Sequence, residues 1–135
     1  MGCLLRIGGT SLDVDGVLRD SGLVADRVWR TGEPRLRGGQ IDGIHSSAGI
    51  NVVVSTADAR DFDKQATEAV EFLEANYSGL DRIGGHSIDM ALDFGTAWTP
   101  GAVMQTLSLS RKLIRLCGEL AIAIDMSVYA VAVDQ

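Results

Sequence analysis

The chain has 135 residues, 46% of them hydrophobic, and a formal net charge of −6. That length suits one compact domain (residues 1–135) with its own core, and the apolar share is too high for a disordered chain. The acidic balance argues against non-specific binding to nucleic acid or to an anionic membrane surface, and no apolar run approaches the roughly 20 residues of a membrane-spanning helix.

The opening MGCLLRIGG has no charged n-region and no apolar h-region, so no secretory leader is expected. Met1-Gly2-Cys3 looks like a lipidation start, but Arg6 stands where Ser or Thr is needed. The run reads instead as a strand over 3–7, ended by Gly8-Gly9. Cys3 and Cys117 lie far apart and fall in no metal-ligand or redox spacing. Both sit in apolar patterns and read as small buried hydrophobes, which points to a reducing, cytoplasmic setting.

Thr10 or Ser11 can cap a short helix, SLDVDGVLRDSG, whose apolar residues are Leu12, Val14, Val17 and Leu18 and whose stop is Gly22. Asp13 and Asp15 suit its positive end. LVADRVWR alternates and predicts an edge-like second strand. Residues 31–48 carry four glycines and a proline without a period, and read as a loop or a loosely paired hairpin arm. GINVVVST at 49–56 has β-branched residues on both faces, the pattern of a central strand.

A second helix follows from Phe62, Ala66, Ala69, Val70 and Leu73, a stripe at helical spacing, with Asp61 as its cap and its exit at 76–79. HSIDMALDF alternates strictly: Ile88, Met90, Leu92 and Phe94 face the core, and Ser87, Asp89, Ala91 and Asp93 face water. Thr99 as cap and Pro100 at the first helical position predict a long third helix to Cys117, closed by Gly118. Its inward face takes Val103, Met104, Leu107, Ile114 and Cys117, and Arg111, Lys112 and Arg115 meet its negative end. LAIAIDMSVYAV is the last strand, with Ile122, Ile124, Met126 and Val128 inward and Ala123, Asp125, Ser127 and Tyr129 outward.

Strand, helix, strand, strand, helix, strand, helix, strand is an α+β order. It predicts a two-layer sandwich with helices on one face of a mixed sheet. The first six elements fit a ferredoxin-like split βαβ with strands one and three central; the last helix and strand extend it. The segments CLLRIGGTSLDVDGVLRDSGL, RTGEPR and WTPGAVMQTLSLSRKLIRLCGELAIAIDMSVYA resemble the bacterial family catalogued as domain of unknown function 4279. The likeness covers nearly the whole chain, implies no activity and carries no catalytic residue over. Some small bacterial α+β proteins of this look act beside secreted toxins as immunity proteins, an analogy that supplies a hypothesis.

The chemistry-bearing residues are few. Asp13 and Asp15 form a D-x-D pair, but no calcium loop follows, and helix-start acids explain them. His45 and His86 could serve as base or ligand, yet neither G-x-S-x-G nor H-E-x-x-H accompanies them. The glycine pairs at 8–9, 38–39 and 84–85 make turns, not a phosphate loop. Arg27, Arg30, Arg35 and Arg37 cluster around Trp29, a pairing common at interfaces, although Arg30, Glu33 and Arg37 could equally pair among themselves.

These readings favour a non-enzymatic protein-binding module, an immunity protein that neutralises a toxin by direct binding. Its contact face would carry Asp89, Asp93, Asp125 and Tyr129, bordered by Trp29, Arg35 and Arg37. No cofactor and no metal are expected. The alternatives are a small-ligand sensor or regulatory domain that dimerises through a sheet edge, and an enzyme using His45 or His86 with nearby aspartates.

Overall fold

Strand β1 (Cys3–Gly9) alternates sharply: Cys3, Leu5 and Ile7 are buried, while Arg6 between them is exposed. It pairs antiparallel on one side with β5 (Ala48–Ser55) and on the other with β6 (Asp89–Trp98). Strand β2 (Arg27–Trp29) adds antiparallel to the outside of β5, and β7 (Ile122–Ala130) adds parallel to the outside of β6. The result is a mixed five-stranded sheet in the order β2-β5-β1-β6-β7. A computed structural model describes residues 2–84 and 86–130; Met1, Gly85 and Val131, which the sequence reading placed in a terminal motif, a turn and the last strand, lie outside the described residues.

Four helices among the described residues complete the α+β fold: α1 (Val14–Ser21), α2 (Phe62–Ala75), α3 (Tyr77–Ile83) and α4 (Arg111–Glu119). They bury Val17, Ala69, Leu73, Leu80, Ile83, Leu113 and Leu116 against the Cys3, Leu5, Ile7, Ile50, Leu92 and Phe94 side of the sheet in one apolar cluster. Phe62 meets Phe94 edge-on at 5.3 Å between ring centroids, a favoured aromatic geometry. Asp61 caps α2, its carboxylate accepting from the Lys64 N–H, as its place before the apolar stripe predicts. The cap of α1 is Asp13, whose carboxylate accepts from Gly16 N–H, and not Thr10 or Ser11.

The element order departs from the expected one by two strands and a helix. The 31–48 segment folds as a hairpin of β3 (Pro34–Arg37) and β4 (Gln40–Ile44), a separate two-stranded sheet. Gly38 and Gly39 sit at φ 58° and 80° between Arg37 and Gln40, the two-residue turn whose twist matches a hairpin. Helix α3 stands where only the exit of α2 at 76–79 is expected; a Ser and a Gly in seven residues obscure the inward pair Leu80 and Ile83.

The third helix is the largest correction. Thr99-Pro100-Gly101-Ala102 is a turn: Gly101 has φ 78°, and the Ala102 N–H donates to the Thr99 carbonyl. Proline followed by a positive-φ glycine is the signature of a type II turn. Gln105 then ties the loop down, accepting from Thr99 N–H and donating to the Ala97 carbonyl, both at 2.9 Å. Val103 and Met104 are therefore exposed, not core. The helix begins at Ser110, whose hydroxyl accepts from Leu113 N–H. Arg111 and Lys112 thus fall in its first turn, so the dipole does not account for them. Lys112 instead reaches Glu74 of α2 at 3.0 Å, and Arg115 reaches Glu119 at 3.7 Å. Ile114 faces solvent.

Two strand expectations also change. Strand β5 lies inside the sheet between β2 and β1, but Val53 on it is exposed, so only one of its two apolar faces is covered. On β7 only Ile122 is buried; Ile124 is half-buried, and Met126 and Val128 are 36% and 56% exposed.

Helix packing gives the first test. A methyl group added at Gly79 in α3 would run into the Ser21 carbonyl of α1, whereas one added at Gly118 in α4 meets nothing within 4 Å. Gly79→Ala is expected to destabilise by roughly 1–3 kcal/mol through overpacking. Gly118→Ala should stabilise by about 0.5–1 kcal/mol through reduced backbone entropy. Urea unfolding of both variants should show opposite signs, and an unchanged Gly79→Ala midpoint would contradict the α1–α3 contact.

Candidate functional site

The helices leave the other side of the sheet open. Its residues are set by register: β1 places Arg6 opposite Asn51 of β5 and Ala91 of β6, and Gly8 opposite Gly49 and Asp89. Across β6 and β7, Asp93 lies beside Asp125 and Ala97 beside Tyr129. The period-2 alternation therefore brings Asp89, Asp93, Asp125 and Tyr129 onto one face, as their spacing predicts. Asp89, Asp125 and Tyr129 are exposed and Asp93 is half-buried.

Arg6 organises that face, and the sequence reading missed it. Its Nη2 donates to Asp125 Oδ2 at 3.0 Å and stands 3.5 Å from Asp93 Oδ2, linking β1, β6 and β7. Ser127 Oγ donates to the other Asp93 oxygen at 2.7 Å. Arg6 and Asp125 are both about half exposed, so that pair adds at most about 1 kcal/mol. What the cluster does is fix direction. One guanidinium between two carboxylates leaves negative charge over, and Asp89, which makes no ion pair among the described residues, adds to it. A lone arginine at the even position of an otherwise apolar strand was the signal available.

Trp29 closes the other side of the face. Gly49 faces it across the strand pair, and the indole lies so close over Gly49 that a Cβ there would run into the ring. The Arg27 guanidinium sits 5.3 Å from the ring centroid, inside cation–π range, and the His45 ring is 6.0 Å away. Between Trp29 and the β1–β6 pair runs an open groove of about 830 Å³ lined by Arg6, Gly8, Trp29, Asn51 and Asp89. Asn51 Oδ1 in that lining is buried and has no hydrogen-bond partner among the described residues.

Arg35 and Arg37 do not join the groove. Arg35 donates through Nε and Nη2 to the Asp42 carbonyl at 3.1 and 2.7 Å, and Arg37 stands 3.8 Å from the Asp42 carboxylate. They hold the β3–β4 hairpin together, and that hairpin turns Leu36, Ile41 and Ile44 to solvent. Arg30 reaches Asp15 at 2.7 Å, which engages one member of the D-x-D pair, while Asp13 is engaged as a helix cap.

The histidines line separate pockets. His86 Nε2 is 3.1 Å from Asp20, beside a small pocket of about 240 Å³ that includes Thr10, Ser11 and Ser87. His45 stays with Trp29 in the pocket between hairpin and sheet. No three His, Cys, Asp or Glu side chains among the described residues stand close enough to hold a metal ion. No helix among the described residues is long and apolar enough to cross a membrane.

Compared with known protein families, with curated proteins and with solved structures, the chain finds no match.

Cys3 and Cys117 are both free and buried. Burial first, then the Asp93 carboxylate and Cys117, push the Cys3 thiol from 9.0 up to about 12; burial pushes Cys117 to about 11. The thiolate is the reactive form, so neither side chain is a nucleophile in the folded chain. Native protein at pH 8 should leave Ellman's reagent unreacted, and both thiols should titrate once denaturant is added. Because the folded state holds both thiols neutral, the stability they contribute is complete below pH 9 and fades as pH climbs through about 11 and 12. Prompt reaction of either thiol in the native protein would contradict this burial.

Proposed function

We propose that the chain is a non-enzymatic protein-binding module whose contact surface is the open face of its sheet. The observation that carries this reading is the uncovered face itself, where Arg6 holds Asp93 and Asp125 in place beside exposed Asp89 and Tyr129. Pre-positioned charge with an aromatic at the border suits recognition of a basic partner, since complementary fields speed encounter and fix register. The hairpin supports it further, with Leu36, Ile41 and Ile44 each at least 64% exposed on one short ribbon. The partner we propose is a toxin with a basic surface, neutralised by direct binding, in a reducing compartment that keeps the two thiols free.

The fold label belongs to the same proposal. With the hairpin set aside, β1 and β2 are parallel with β5 between them, and β5 and β6 are parallel with β1 between them. That interleaving supports a ferredoxin-like two-layer sandwich with α4 and β7 as an added unit. Membership of the domain of unknown function 4279 is proposed on the quoted segments alone.

A second reading rests on the groove. Its Trp29 wall, glycine floor and unmet Asn51 acceptor fit a small ligand with a flat apolar part and a donor group. A thermal-shift screen separates the two, since a selective metabolite would raise the melting temperature.

For the main reading, the product of any neighbouring toxin gene should co-purify with this chain and lose its toxicity on co-expression. Asp89→Lys and Tyr129→Ala should each weaken the complex about tenfold or more, about 1.4 kcal/mol. Val24→Ala, at an 84% exposed position outside the face, should leave affinity unchanged. Failure to protect against every neighbouring toxin would remove the toxin from the proposal.

A further inference from the structure

Strand β7 is nine residues long and borders the sheet, and among the described residues nothing pairs with its outer side. A long unprotected edge of this kind recruits another strand unless the sequence blocks it. The usual blocks are missing: Ile122–Ala130 contains no Lys, no Pro and no bulge in its pairing with β6. Its one charge, Asp125, points to the open face and is already paired with Arg6. On the helix side the strand offers half-buried Ile124 and exposed Met126 and Val128.

We infer that this edge pairs antiparallel with β7 of a second copy, about a two-fold axis at Met126. The sequence around that residue is self-complementary in polarity. In this register Met126 meets Met126 of the partner subunit, Ile124 meets Val128 of the partner subunit, and Ile122 meets Ala130 of the partner subunit. The exposed apolar side chains of both copies then form one continuous stripe on the helix side. Asp125 falls opposite Ser127 of the partner subunit, so no like charges oppose each other, which would otherwise weaken a cross-strand pair. A two-fold contact is isologous and closes at two chains, so it does not propagate into fibres. It uses the edge and leaves the open face of each copy accessible, so it stands independently of the protein-binding reading.

Sedimentation of the full chain at micromolar concentration should give the mass of two chains. Val128→Lys and, separately, Met126→Lys place an inward charge on the edge and should each halve that mass, with the circular-dichroism spectrum unchanged. Val24→Lys, at an exposed site away from the edge, should leave the dimer intact. Register is read directly: opposed Cα atoms in an antiparallel pair are about 4.5–5.5 Å apart, within disulfide reach. Met126→Cys should therefore oxidise to a linked dimer, while Val128→Cys, whose opposite residue is Ile124, should not. A wild-type chain that sediments as a monomer, or a dimer that survives both lysine substitutions, overturns the inference.

Discussion

The register of β1 is the constraint on which the rest of the molecule depends. Because side chains alternate along a strand, a slip by one residue would exchange the two faces. Cys3, Leu5 and Ile7 would leave the core and Arg6 would enter it, with no carboxylate inside to meet its charge. Strands β5 and β6 both take their register from β1, and β7 takes its from β6. The burial of the core and the assembly of the polar face are thus one event. Arg6 contributes little to stability where it sits, but the cost of burying it unpaired, several kcal/mol, enforces the pairing.

The same alternation decided what could be read in the sequence. Where a strand has one buried face, the pattern is explicit, and Asp89, Asp93, Asp125 and Tyr129 were placed together from spacing alone. Helix α2 was legible for a like reason: five apolar positions at helical spacing behind a capping Asp61 admit one interpretation. Short elements carry too little period. Helix α3 makes barely two turns, and each hairpin strand is exposed along its whole length, so no buried stripe marks it. The Gly38-Gly39 turn is the cue there for the hairpin arm that the segment allows as the alternative to a loop.

Thr99-Pro100 shows how a local signal can be ambiguous in principle. Threonine followed by proline begins a helix if the chain stays right-handed, and begins a type II turn if the next residue takes positive φ. Gly101 permits the second, and Gln105 makes it favourable by satisfying both Thr99 N–H and the Ala97 carbonyl. Leu107 and Leu109 still reach the apolar cluster from the irregular stretch, so part of the apolar pattern is buried without a helix. Arg6 was overlooked for a different reason. Its partners are distant in sequence, and only the pairing of three strands reveals them.

The shortening of that last helix has a consequence for the whole sheet. Nine helical residues rise about 13 Å, while nine strand residues extend about 30 Å. Helix α4 therefore covers the first part of β7, where Ile122 is buried, and runs out before Met126 and Val128. A helix from Thr99 onward would be long enough to span the whole strand, but the chain turns at Pro100-Gly101 and the helix begins only after the Ser110 cap. Apolar residues at core-type spacing beyond the end of their own roof are unusual unless something else covers them. The exposed half of β7 thus follows from where helix α4 starts, and it gives the molecule two distinct surfaces: a charged face fixed by Arg6 and an apolar edge beyond the end of its roof.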